Sequence, residues 1–295
     1  MSAVNRINSS RISLVKSMNS NRMTVEEIIA AEDQANREHA QRVAARKAAR
    51  AERKKLKEEA KQARRLAREE RRIAEEPARR IRQAMNEAPR RSVKEEVGNA
   101  ITHGVGAVFG LTALVLMIVH AGGGLRLMAA LVYGLCLTEL FTISCLYHSF
   151  RWGSRVKRVF RRFDYSSIYL LIGGTFAPIF LVYWGDTKGI LLFAFQWAII
   201  VTGVTLIGVF GPSRFRALHM VLYVAIGWSG LMFLPQMIKE TPPLFWYTLM
   251  GGVLYTLGII PFAIKVRGSH LLWHFFVLAE ALCQWIGIYR YVFLA

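Results

Sequence analysis

Residues 270–294 read HLLWHFFVLAEALCQWIGIYRYVFL, and only His270, His274, Glu280, Gln284 and Arg290 are strongly polar. A run of this length crosses about 30 Å of hydrocarbon as a helix. It opens with two histidines four residues apart. On a helix such a pair lies about 40° apart around the axis and about 6 Å apart along it. The two imidazoles therefore share a face and can share a metal ion. A histidine inside a membrane-length segment is costly, so a pair of them calls for a function.

Six further apolar runs precede this one, at roughly 98–120, 127–150, 164–184, 189–210, 216–237 and 243–264. The loops between them are short, which makes successive helices antiparallel. The expected fold is an all-α integral membrane protein, a seven-transmembrane helix bundle over residues 93–295. Arg and Lys set its orientation. Ten of them lie in the connections after the second, fourth and sixth runs, against four (Arg126, Lys188, Lys239, Arg290) on the opposite side. The basic segment before the bundle belongs to the majority side, so the N-terminus is expected in the cytosol and the C-terminus outside. Tyr183-Trp184, Phe245-Trp246-Tyr247 and Trp152 fall at run ends, as interfacial aromatics do.

Residues 1–92 form a different kind of chain. Through Val97 there are 25 Lys and Arg against 15 Asp and Glu, and no long apolar run. Residues 1–24 carry Arg6, Arg11, Lys16 and Arg22 with several serines and no acid, a composition shared with organelle transit peptides but without an apolar face. No signal peptide is expected, since no apolar core follows the early charges. From Val25 to Asn86 the good helix formers Ala, Arg, Lys and Glu dominate. Thr24 and Glu27 have capping-box spacing. Charge pairs recur at i,i+4, among them Lys55/Glu59, Arg71/Glu75 and Arg72/Glu76. Large apolar residues are too sparse for a coiled-coil seam. A cytosolic tail that is helical or partly disordered is expected, most simply a solvated single helix ending near Pro77 and Pro89, with its basic residues available to an anionic leaflet. Specific nucleic-acid binding is not expected, because no aromatics interleave the charges. Cys136, Cys145 and Cys283 sit within apolar runs with no CxxC pair, which argues against a disulfide framework or a thiolate zinc site.

The antiparallel topology brings distant polar residues to one depth. His148 closes the second run, with Ser144 one turn earlier. Asp164 opens the third, His270 and His274 open the seventh, and Glu96, Asn99 and His103 open the first. If the second, third and seventh helices are neighbours, three imidazoles and a carboxylate converge. Three histidines with an open fourth position describe a catalytic-type zinc site. The HxxxH pair is not the metalloprotease motif, since Leu271 stands where that motif has Glu. Asp164 is then the candidate general base, although a helix N-cap is the competing role at that position. Ser144 is a candidate oxyanion donor, against an ordinary i−4 backbone bond. Glu96, Asn99 and His103 are expected to fix the first helix or line the cavity, and His120 and His219 to be structural. Gly174 and Pro178 suit close packing and a kink. Glu139 and Glu280 are charges deep within runs, each protonated, paired with the other or facing a polar cavity.

Glu96-Val-Gly-Asn99-Ala-Ile-Thr102-His103, Ser144-Cys-Leu-Tyr147-His148, Phe163-Asp164 with Gly174-Thr175-Phe-Ala-Pro178, and His270-Leu-Leu-Trp273-His274 together resemble the hemolysin III proteins. These are the bacterial branch of the progestin and adipoQ receptor family. The resemblance covers about residues 93–295 and leaves the tail outside. It implies seven membrane helices, a zinc ion on His148, His270 and His274, and Asp164 and Ser144 beside it. It implies kinship with alkaline ceramidases too, hence hydrolysis of a lipid amide or ester. Tyr165 departs from the His that relatives often carry after the Asp, and Glu139 and Glu280 are not expected from the family.

The expected function is thus an intramembrane zinc site near the cytosolic face of a multi-pass protein, most simply in a bacterial plasma membrane, with membrane lipids as partners. The alternative is a non-enzymatic regulator or sensor of lipid homeostasis whose zinc is structural. A secreted cytolysin fits least, because seven membrane-length runs make an integral bundle.

Overall fold

A computed structural model describes residues 24–264 and 266–295. The basic positions 6, 11, 16 and 22, and Lys265, lie outside the described residues. Among those described, every regular element is helical.

The first helix, α1, spans Val25–Asn86, 62 residues. Its N-terminus is a capping box. The Thr24 amide donates to the Glu27 carboxylate at 2.8 Å, and the Glu27 amide donates back to the Thr24 hydroxyl at 3.4 Å. Pro77 sits inside the helix rather than ending it. Arg71 pairs with Glu75 at 2.8 Å and Lys55 with Glu59 at 3.9 Å. Arg72 turns back to Glu69 at 2.7 Å, an i−3 rather than an i+4 partner. The chain divides into two compact units, residues 1–79 and 80–295.

Within the second unit the long helices are α2 (Val93–Ala121), α3 (Gly124–Ser149), α4 (Arg155–Pro178), α5 (Thr187–Phe210), α8 (Pro242–Ala263) and α9 (Ser269–Ile288). α4 and α9 each run on into a π-helical turn, Ile179–Trp184 and Tyr289–Phe293. All six are long and apolar enough to cross a membrane. Between α5 and α8, α6 (Arg216–Gly227) passes through a 3-10 turn at Trp228–Phe233 into α7 (Leu234–Glu240), bent by 44°; counted as one broken span, the pair makes a seventh. Pro235 accounts for the break, since its ring would collide with the carbonyl four residues earlier. The Gln196 amide group reaches the Ile226 carbonyl at 3.3 Å and Ser229 at 3.1 Å, partnering backbone that the break releases.

The chain is therefore an all-α, multi-pass membrane bundle. Consecutive helices pack in sequence from α2 to α5, α8 packs on α9, and α9 closes back against α2. Small residues let the backbones approach. A Cβ at Gly110 would meet Thr138 Cα at 2.9 Å, and one at Gly174 would meet Cys136 Cβ at 2.7 Å.

The third membrane helix departs from its expected start. It begins at Arg155, capped by Ser154 accepting from the Lys157 amide, nine residues before Asp164. Asp164 is consequently mid-helix and is not an N-cap. Lys157 and Arg161, which hydropathy assigns to a loop, are buried in the bundle. The apolar criterion missed them because their partners lie on other helices: Lys157 Nζ donates to the Tyr147 and Phe150 carbonyls at 3.0 Å each and pairs with Glu96 at 3.1 Å.

Candidate metal centre

The end of α3, the start of α9 and the start of α2 meet at one end of the bundle. His148 is in the last turn of α3, and His270 and His274 are in the first turns of α9. One nitrogen from each of the three imidazoles lies within 4.8 Å of the others. Ring centroids are 4.8 Å apart for His148–His274 and for His270–His274, and 5.2 Å for His148–His270. A tetrahedral ion with bonds of about 2.0–2.1 Å holds its nitrogens roughly 3.4 Å apart, so small inward movements complete the site.

The surrounding groups select which nitrogens face the cluster. His148 Nδ1 lies 2.5 Å from the Glu96 carboxylate, leaving Nε2 buried without a partner. His274 Nδ1 is 3.3 Å from the Asn99 carbonyl oxygen. His270 Nε2 is also buried and unpartnered. A carboxylate or carbonyl on the far nitrogen of a histidine is the usual support for a metal ligand, because it fixes the tautomer and the ring plane. Buried imidazole nitrogens with no partner are otherwise expensive. The three residues fit a divalent metal ion.

Glu96 is held in turn by Lys157, so a buried cation balances the carboxylate that orients His148. His103 comes close but is not in the ligand cluster. Its ring stacks on His274 with centroids 3.6 Å apart and planes 16° from parallel. It backs the ligand ring and reduces its freedom to rotate.

Ser144 and Asp164 face each other between α3 and α4. With His103, His270 and His274 they line a small cavity of about 30 Å³. That is room for roughly two waters at ~10–15 Å³ each. A carboxylate, a hydroxyl and unpartnered imidazole nitrogens around a water-sized space can orient and deprotonate a water. The structure thus brings together all five residues singled out by sequence: His148, His270, His274, Asp164 and Ser144. Sequence reasoning missed Lys157 and the Glu96–His148 bond. The available signal was Lys157 and Glu96 themselves, two opposite charges abutting apolar runs.

The remaining interior charges separate. Glu139 accepts from the Ser167 hydroxyl at 2.8 Å. Glu280 is buried and lines a different cavity, deeper in the bundle, with Gln284, Tyr255 and Thr175. His219 bonds Tyr169 at 3.0 Å and His120 bonds Tyr289 at 3.1 Å, both remote from the cluster.

The profile of the family described as "Haemolysin-III related" matches residues 91–285. Hemolysin-3 of Bacillus cereus is 34% identical over 205 residues, covering 68% of this chain and 93% of that protein. The hemolysin-3 homolog of Bacillus subtilis is 30% identical over 205 residues, 68% of this chain and 95% of its own length. More distantly, the adiponectin receptor protein of Drosophila melanogaster is 28% identical over 234 residues, 66% of this chain and 50% of that protein. The chain belongs to the haemolysin III-related family.

Proposed function

We propose that this haemolysin III-related protein is a zinc-dependent hydrolase of a lipid amide or ester, working at the cytosolic face of a bacterial plasma membrane. The observation that carries the reading is a three-imidazole cluster, two of whose members, His270 and His274, line one water-sized cavity with a carboxylate and a hydroxyl. An all-imidazole set suits zinc. His148, His270 and His274 would hold the ion, which when bound polarises a carbonyl and makes water a stronger nucleophile.

The chain's own residues supply the rest. Asp164 accepts a proton from the attacking water and returns it to the departing nitrogen or oxygen as the carbon–heteroatom bond breaks. Ser144 donates a hydrogen bond to the oxygen on which negative charge develops. Glu96 and the Asn99 carbonyl keep the His148 and His274 rings aimed, and His103 supports His274 from behind. Apolar walls at Leu140, Ile168 and Val277 exclude bulk water.

The test is release of fatty acid from lipid amides and esters by purified protein. Turnover is expected to vanish with chelator and to fall about 10²–10⁴-fold in Asp164→Asn, while the metal stays bound. A second reading, a receptor or sensor in which the ion only ties α3 to α9, draws on the Drosophila relative's name. It predicts that Asp164→Asn keeps both metal and cellular effect.

A further inference from the structure

Arg161 is only 6% exposed. Its Nη2 donates to the Ser213 hydroxyl at 3.1 Å, and its guanidinium lies 5.4 Å from the Tyr165 ring centre. Its Nε and Nη1 are nevertheless buried without a partner, and so is Nη1 of Arg91. A guanidinium offers five N–H donors and is always charged, so orphaned donors in a buried setting point to a missing acceptor.

Both side chains line a cavity of about 530 Å³ at the end of the bundle where α2, α4 and α9 begin. Arg90, Arg216 and Arg267 line it as well, and the one lining acid among the described residues, Glu95, is 3.3 Å from the Gly268 amide. Asp164 is near enough to feel the charges of Arg91 and Arg161. It offsets one of the five cations. The cavity borders the metal centre, since Arg91, Tyr165, Phe262 and His270 line both this space and the small one beside it. Its other wall is apolar, with Phe262, Ile264 and Val266.

We infer that this cavity is a binding site for a phosphate group, carried as the headgroup of a lipid whose chain lies along the wall of Phe262, Ile264 and Val266. Several forks lining one cavity from different elements suit a tetrahedral anion with three free oxygens, where a carboxylate would satisfy a single fork. The size is that of a small-molecule site. The apolar wall favours an amphiphile over a free ion. The substrate class named here, an acyl lipid with an anionic phosphate end, rests on the hydrolase reading; the anion site does not.

The test is calorimetric titration of the full-length, detergent-solubilised and chelator-treated protein with dihexanoyl phosphatidic acid, dihexanoylglycerol and inorganic phosphate. Phosphatidic acid is expected to bind at least about tenfold more tightly than either of the others. R91Q and R161Q should each weaken it about tenfold and leave dihexanoylglycerol unchanged. R161Q removes a buried contact and can unfold the bundle, so R91Q is the deciding variant. Equal binding of phosphatidic acid and dihexanoylglycerol, or undiminished binding by R91Q, would overturn the site. Inorganic phosphate binding as tightly as the phospholipid would overturn the headgroup assignment. Metal-free protein cannot hydrolyse, so selective binding without fatty-acid release from the metal-loaded form would sink the hydrolase reading and leave this site standing.

Discussion

Glu96 and His148 stand 52 positions apart in sequence and meet at 2.5 Å, and that bond settles which nitrogen of His148 is free. Glu96→Gln keeps the shape and loses the charge. Metal affinity should fall about 10–100-fold, as for other carboxylates that support a ligating histidine. Competition against a chromophoric chelator reads this directly, and unchanged affinity would contradict the role. At this scale the sequence was informative where a residue type is costly in a membrane. His148, His270, His274 and Asp164 announced themselves by being there at all. Lys157 did not, because a lysine beside an apolar run reads as a loop charge until its partner on α2 is known. His103 was legible as a cavity residue, yet its stacking on His274 depends on a ring orientation that spacing does not encode.

α4 shows the same limit for an element. Its apolar segment was plain, but five of its first nine residues are basic and hydropathy discards them. They are helical because Ser154 caps them and because Lys157 and Arg161 find acceptors inside the bundle. Lys157→Met leaves the Glu96 carboxylate half-buried with no cation beside it. A loss of about 3 kcal/mol is expected, measured by thermal unfolding in detergent, and E96Q/K157M should recover part of it. A loss no smaller in the double variant would mean the pair is not what matters. α3 and α4 are pressed together at Gly174, where any Cβ would strike Cys136. Gly174→Val should cost about 1–3 kcal/mol of stability by the same assay, and a neutral result would show that the helices can part. The break between α6 and α7 was not legible as a break. Hydropathy averages over it, and Pro235 carries little weight within so long an apolar run.

For the whole molecule, the alternation of apolar runs and short loops was enough to obtain a helical bundle with one polar end. What composition leaves open is which way it faces. We propose the orientation in which the α1 side is cytosolic, on the strength of ten basic residues against four. In a background lacking Cys136, Cys145 and Cys283, Thr187→Cys should react with an impermeant maleimide on intact cells. Arg214→Cys should react only after lysis. The reverse pattern would invert the topology. The tail adds a second expectation: its many Lys and Arg, with exposed ion pairs such as Arg71–Glu75, should bind anionic vesicles weakly and release them as salt rises. Insensitivity to salt would rule that out.

The proposed chemistry requires that α3 and α9 be joined through one metal ion, which the converging histidines could hold. Elemental analysis of the purified full-length protein, wild type beside His274→Ala, reads this without any assumption about substrate. Close to one zinc per chain is expected in the wild type, with nearly all of it lost in the variant. A wild type that carries no metal, or a variant that carries as much, would contradict the metal centre.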